Sequence, residues 1–297
     1  MKRLSTGDKV FEVFNYFFLI VIFLIVLLPL IFVVSASVSD PAAVMAGEVW
    51  FWPVGLNFEA YGIVMRHERI LVGYRNTILY TTVGTFINIV MTIFAAYPLS
   101  RPNLKGRTAF LLFMIFTMYF NGGLIPTFLT IRNLGMLDTF WVMVIPVAIT
   151  TVNVIIMRTF FINSIPSELH DAAEIDGCTN IQTLVLIVLP LSKAVISVLV
   201  LWYAVAHWNS FFNALIYLSS PERFPLQLVL RDVLVMGRPL EIEGMTPDDI
   251  IAAMEQQMRG AMLQYAVIIV ANLPVLMIYP FIQKYFVKGI MIGSVKG

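Results

Sequence analysis

Asn163-Ser-Ile-Pro-Ser-Glu-Leu-His-Asp-Ala-Ala-Glu-Ile-Asp-Gly177, continuing to Ile187-Val-Leu-Pro190, is the stretch around which the rest of the chain is organised. Pro166 suits a first helical turn, Glu168 complements the positive end of the helix dipole, and Gly177 fits a left-handed stop. The spacing predicts a short surface helix over 166–176. Ala172 and Ala173 remove side-chain bulk, so the helix can approach a groove on another protein, with Leu169 and Ile175 giving apolar contact and Asp171, Glu174 and Asp176 a polar edge. A plain helix–turn–helix link would explain the glycine and prolines but not paired alanines flanked by acids.

On either side of this stretch the chain is apolar. Of 297 residues 59% are hydrophobic and 12% charged, and the mean hydropathy of +0.87 is too high for a water-soluble surface. Cutting at every Asp, Glu, Lys and Arg leaves six charge-free runs of 19 residues or more: 13–39, 76–100, 108–131, 139–157, 194–221 and 260–283. A spanning helix needs ~20 apolar residues, and a mid-membrane charge costs about 2.5–3.5 kcal/mol. The expectation is an all-α integral membrane protein with six transmembrane helices, near 14–37, 76–99, 108–129, 139–160, 185–208 and 262–283. The runs do not alternate polar with apolar, which disfavours a barrel. Lys2, Arg3 and the small residues Ser35, Ala36 and Ser37 mimic a secretory signal, but the apolar core from Phe17 to Val34 is too long for one and reads as an uncleaved first span.

Lys and Arg set the orientation. With a cytosolic N-terminus, eleven of the nineteen fall inside: Lys2, Arg3, Lys9, Arg101, Lys105, Arg107, Arg158, Lys193, Lys284, Lys288 and Lys296. Both termini are then cytosolic, 161–184 is a cytosolic loop, and 38–75 and 209–261 are outer loops. The soluble segments are too short for a separate catalytic domain, so 1–297 reads as a single membrane domain. Trp50, Phe51, Trp52 and Pro53 read as an interfacial aromatic belt or a ligand contact. The last outer loop reads as two helical pieces, 225–235 and 247–259, opened by Pro225 and Pro247. Pro29, Pro146 and Pro274 interrupt apolar runs and each can kink its helix. One cysteine, Cys178, excludes an internal disulfide, three scattered histidines give no metal-ligand spacing, and a net charge of +1 excludes a basic nucleic-acid surface.

The stretch at 171–190 resembles the cytosolic signature of the membrane-spanning permeases of bacterial ABC importers: Glu-Ala-Ala, two residues, Asp-Gly, then Ile-x-Leu-Pro. Asp171, Ala172, Ala173, Asp176, Gly177, Ile187, Leu189 and Pro190 fall on those positions, and Asp171, shorter than the usual Glu, is the one departure. Gly73-Tyr-Arg-Asn-Thr77, Asn121-Gly-Gly-Leu-Ile-Pro-Thr127, Pro225-Leu-Gln-Leu-Val-Leu-Arg231 and Tyr279-Pro-Phe-Ile-Gln-Lys-Tyr-Phe-Val-Lys-Gly289 are similar to the carbohydrate-uptake branch, above all its oligosaccharide permeases, including those for acidic sugars of alginate or pectin type. The resemblance implies the maltose-importer type of permease fold and a multi-pass protein of the bacterial inner membrane. It implies a second, different permease, two ATPase subunits and an extracytoplasmic solute-binding protein as partners. It assigns ATPase coupling to the residues of the signature and brings the basic tail near the ATPases.

The residues agree with that division of labour. The chain has no Gly-x-x-x-x-Gly-Lys-Ser/Thr loop and no Gly-Lys dipeptide, so no cofactor is expected on it, and ATP and Mg belong to the partner ATPase. No catalytic or metal-binding residues are expected. The alternative is an ion-coupled secondary carrier, which would most simply place ionisable groups within its spans. Of these only His207 lies in a charge-free run. Asn88, Asn153, Tyr203, Trp208, Asn209 and Phe212 are candidates for a sugar path, since sugars are held by hydrogen bonds and aromatic faces; interhelical hydrogen bonds or an interfacial belt are the alternative roles. Arg66, Arg69 and Arg75 would attract an acidic sugar or merely set topology.

Overall fold

In the computed structural model, residues 5–236, 260 and 263–277 are described, and all regular structure among them is helical. In chain order these are α1 (Thr6–Ser37), α2 (Pro41–Met45), α3 (Glu59–Arg66), α4 (Glu68–Ser100), α5 (Arg107–Tyr119), α6 (Leu124–Asn133), a 3-10 turn (Phe140–Met143), α7 (Thr151–Ser164), α8 (Ser167–Ile175) and α9 (Asn180–Thr183). A π turn (Leu184–Val188), α10 (Leu189–Leu191), α11 (Lys193–Trp208), α12 (Phe212–Tyr217), a 3-10 turn (Pro221–Arg223) and α13 (Leu226–Met236) follow, with α14 (Leu263–Met277) after them. Contacts divide the described residues into two compact units, one of those up to 70 and those between 230 and 273, the other of those in 71–229 and 274–277.

In the first unit α1 starts from a capping box, the Ser5 amide donating to Asp8 Oδ2 at 2.9 Å. Its most apolar window has none of its residues buried within the chain, which suits lipid or a partner rather than a soluble core. The small residues at its end are a joint. Ser35 Oγ donates to the Phe51 carbonyl at 2.7 Å, Ser39 Oγ accepts from the Val54 amide at 3.1 Å, and Tyr61 OH donates to Ser37 Oγ at 2.8 Å. Small hydroxylated side chains let the loop backbone lie against the helix end while pairing its polar groups.

The second unit is built on α4, and three of the expected spans in it are broken helices. The 108–129 run is not one straight helix: α5 and α6 meet at 112°. Gly123 has φ +81, and Asn121 Oδ1 caps its amide at 3.0 Å, which turns the chain between them. The 139–160 run, expected as a continuous fourth span, is a 3-10 turn, an irregular stretch containing Pro146, and then α7. Proline supplies no amide proton and restricts the residue before it, so the helix restarts only at Thr151. The expected span 185–208 is also bent, the segment Asn180–Leu191 lying at 83° to α11. Pro190 cannot donate to the carbonyl four residues back and its ring crowds that turn, consistent with a π turn just before it.

Among the described residues two single helices, Gly7–Ser37 and Glu68–Ser100, are long and apolar enough to cross a membrane, or up to four spans if each bent pair is one. The last expected span is described only through α14. The predicted helix at 247–259, the tail phrase at 279–289 and the basic residues at both termini other than Lys9 lie outside the described residues. The predicted piece at 225–235 is α13. Around α4 sit two apolar clusters. One joins Ala96, Tyr97 and Leu99 to Met157 and Phe161 of α7 and Leu199 and Tyr203 of α11. The other joins Tyr80 to Val142, Met143, Ala214 and Tyr217.

Candidate functional site

The first site is α8. Its end is a complete Schellman closure: the Cys178 amide donates to the Ala173 carbonyl at 2.9 Å and the Gly177 amide to the Glu174 carbonyl at 3.0 Å, with Gly177 at φ +77. Pro166 stands at the N-cap, one residue before the helix. The two signature alanines diverge. Ala173 is buried (2% exposed) within the chain, whereas Ala172, Asp171 and Asp176 face outward. Ile175 is 87% exposed. The exposed apolar surface of the helix is therefore Ile175 and, less, Leu169, while Ala173 anchors the helix from below. Leu189 packs against the first cluster and Pro190 is exposed on the bent segment.

The second site is a polar pocket of about 370 Å³. Four of the predicted path residues, Asn88, Tyr203, Asn209 and Phe212, line it. His207, Thr150, Ser210, Phe211 and Asn213 join them. Trp208 instead packs edge-on to Tyr74 at 6.3 Å, and Asn153 is buried on α7; neither lines the pocket. The break before α7 explains the role of Asn88. It frees the Val147 carbonyl, which accepts from Asn88 Nδ2 at 2.5 Å, and unpaired backbone at membrane depth needs such a partner. Asn88 Oδ1 is thereby left as acceptor, so His207 Nε2, 2.7 Å away, is the donor. The His207 ring lies directly against Gly84, where any Cβ would collide with it. Thr92 Oγ1 and Tyr203 OH share a hydrogen bond of 2.8 Å.

A polar stripe along α4 was not singled out from the sequence: Thr77, Thr81, Thr85, Asn88 and Thr92 recur every three or four residues. All but Thr81 are buried, and the Thr81 and Thr85 hydroxyls have no hydrogen-bond partner among the described residues. The spacing alone, inside a charge-free run, was the available signal.

At the start of α4 two of the phrases quoted above meet. Asn76 Nδ2 donates to the Glu222 and Phe224 carbonyls at 2.7 and 3.1 Å, the Leu226 amide donates to Thr77 Oγ1 at 2.8 Å, and a Cβ at Gly73 would lie 3.1 Å from Leu226 Cα. Asp138 fastens the same loop. It accepts from Ser220 Oγ at 2.5 Å and from the Ser219 and Ser220 amides at 3.0 Å, and pairs with Arg223 at 2.9 Å. The Ser220 hydroxyl and amide, then Ser219 and Arg223, hold its carboxyl well below the usual carboxylate range despite some desolvation. Arg66, Arg69 and Arg75 are exposed.

The class of this helical chain, with its broken helices, its pocket and the exposed helix α8, is given by comparison with known proteins: it is a transport permease. Residues 70–292 match the family described as binding-protein-dependent transport system inner membrane component, and the chain belongs to that family. It is similar over nearly its whole length to two proteins of Bacillus subtilis strain 168. Protein LplC is 39% identical over 293 residues (99% of this chain, 97% of that protein). The polygalacturonan/rhamnogalacturonan transport system permease protein YtcP is 37% identical over 290 residues (98% and 99%). A chain from the crystal structure of a bacterial ABC transporter involved in the import of the acidic polysaccharide alginate matches with a TM-score of 0.85 and 33% identity, over 96% of this chain and 100% of that one.

Proposed function

We propose that this chain is the membrane-spanning permease subunit of an ATP-driven importer of oligosaccharides in a bacterial inner membrane, with pectin- or alginate-type acidic oligosaccharides as the cargo class. The observation that supports the coupling role is α8: a helix closed by a Schellman motif and anchored by buried Ala173 that holds Ile175 87% exposed. Seated in a groove of an ATPase subunit, it moves when ATP binding closes the ATPase pair. The broken segments around α4 then rock the pocket from one side of the membrane to the other while a solute-binding protein delivers the sugar from outside. ATP and Mg serve the two ATPase subunits, and a second, different permease completes the cavity. Six spans with both termini in the cytosol place α8 and its loop inside and the Asp138 clamp outside.

The pocket favours sugar chemistry. Its lining offers amides, hydroxyls, an imidazole and aromatic faces, with no Lys, Arg, Asp or Glu, which suits hydroxyl groups and pyranose faces. Carboxylates of an acidic cargo would be met by exposed Arg66, Arg69 and Arg75 on approach or by the second permease. The decisive experiment reconstitutes the chain in liposomes with and without its ATPase, second permease and binding protein, and follows labelled oligogalacturonate. Uptake is expected only with all partners and ATP. Uptake by the chain alone on an imposed proton or sodium gradient would establish an ion-coupled carrier instead.

A further inference from the structure

Backbone carbonyls fix the orientation of three polar side chains in the lining of the charge-free pocket, and so fix what they can recognise. The Val147 carbonyl can only accept, so the amide nitrogen of Asn88 faces it and the amide oxygen faces His207. His207 Nε2 therefore carries the proton. No Asp or Glu lines the pocket to balance an imidazolium, so the ring is neutral and its other nitrogen, Nδ1, bears a lone pair. The ring meets Gly84 most closely through Cε1, Nε2 and Cδ2. No described residue is bonded to Nδ1. The partnerless side-chain atoms sealed from water among the described residues belong to Thr81, Thr85, Tyr97, His170 and Ser192, so His207 Nδ1 is open to the pocket that its ring lines. Asn209, two residues on at the end of α11, repeats the pattern: its Nδ2 donates back to the Val205 carbonyl at 2.9 Å, and Oδ1 is left to accept. The Thr150 and Ser210 hydroxyls in the same lining rotate to suit either role, whereas these two acceptors cannot. A hydroxyl can donate to them; a carboxylate brings only further lone pairs and is repelled.

We propose that His207 is a specificity-determining residue of this pocket: locked by Asn88, it presents the Nδ1 lone pair to the cargo and accepts from one sugar hydroxyl. With Asn209 Oδ1 as a second acceptor, this part of the pocket takes the hydroxyl edge of a sugar and turns its carboxylate elsewhere. Asn88, whose amide is engaged at both ends, is a positioning residue that acts through His207. The identity of the cargo rests on the sugar-import reading above; the tautomer of His207 does not.

The full chain, with nitrogen-15 in its three histidines, is examined by solid-state NMR in lipid bilayers, in the complex with which it purifies. The signals that survive in both His67→Gln and His170→Gln are those of His207. Before any cargo is added, the proton is expected on Nε2 and none on Nδ1. Trigalacturonate and its methyl ester, which keeps the hydroxyls but caps the carboxylates, are each expected at about 10 mM to move the Nδ1 signal and leave Nε2 in place. Glutarate, with two carboxylates and no hydroxyl, is expected to move neither. His207→Gln, which can keep the bond to Asn88 without a lone pair at the place of Nδ1, is expected to bind trigalacturonate about fivefold more weakly in equilibrium dialysis. The proposal is overturned if the proton sits on Nδ1, if neither saccharide moves the Nδ1 signal, if only the free acid does, or if glutarate moves it equally. Parent-like affinity in His207→Gln also overturns it; if that variant does not assemble, the spectra of the parent chain decide. An ion-coupled carrier would be revealed separately, by uptake without ATPase in the liposome experiment, with the His207 tautomer unchanged.

Discussion

His207 Nε2 lies 2.7 Å from Asn88 Oδ1, and the His207 ring rests on the bare backbone of Gly84 one turn earlier on α4. The contact fixes α11 against α4 beside the polar pocket, and it exists only because position 84 has no side chain. Gly84→Ala gains about 1 kcal/mol of helix propensity but forces the imidazole from a site where Asn88 holds it, an overpacking cost of about 1–3 kcal/mol. Net destabilisation is expected in detergent thermal unfolding. His207→Ala in the same background should recover most of it; failure to recover would mean that the ring is not the obstacle.

The adjacent alanines of the signature should separate cleanly. Ala173 is buried, so Ala173→Leu overpacks the chain itself and lowers its stability by about 1–3 kcal/mol. Ala172 faces outward, so Ala172→Leu should leave stability within about 0.5 kcal/mol of the parent while abolishing sugar-stimulated ATP hydrolysis in the assembled importer. Unchanged stimulation in Ala172→Leu would remove the coupling role of α8.

Gly177 holds the end of α8 at φ +77 with open space around its α-carbon, so the cost of a side chain there is conformational rather than steric. Gly177→Ala is expected to cost about 1–2 kcal/mol, and Gly177→Asn less. Hydrogen exchange at the Gly177 and Cys178 amides should quicken in that order, with uncoupling of ATP hydrolysis in parallel.

Asp138 makes the loop at 217–226 sensitive to acid. Its carboxyl is held below the ordinary value of 3.8, so its contribution is fully present above that value and is lost as pH falls toward the lowered one. Asp138→Asn, which keeps the left-handed conformation at φ 54 accessible, should unfold at a lower temperature than the parent at pH 7. The two melting curves should converge as pH drops below about 4. A constant difference across that range would show that the charge is not the source.

The hydrophobic runs, the stop at Gly177 and the Asp-Ala-Ala-Glu-Ile-Asp-Gly signature were legible in the sequence because each depends on local chemistry: transfer of apolar residues from water, a φ that glycine tolerates, and a helix too short and polar to be buried. Which alanine faces outward was not legible, since Ala172 and Ala173 differ only in what lies beneath them. Nor were the breaks at 120–123 and around Pro146, because a charge-free run has the same composition whether straight or bent, nor the bend at Ser192, where Pro190 fits a helix interrupted or merely begun. Asn88 shows why. A sequence places an amide in a span, but only the tertiary structure supplies the freed Val147 carbonyl and the His207 ring that occupy its two ends. Composition and spacing thus determined that this chain enters a membrane and carries a protruding helix. The packing of α4 against α7 and α11 decided where its polar groups converge, because hydrogen bonds between distant segments depend on how helices cross rather than on their order in the chain.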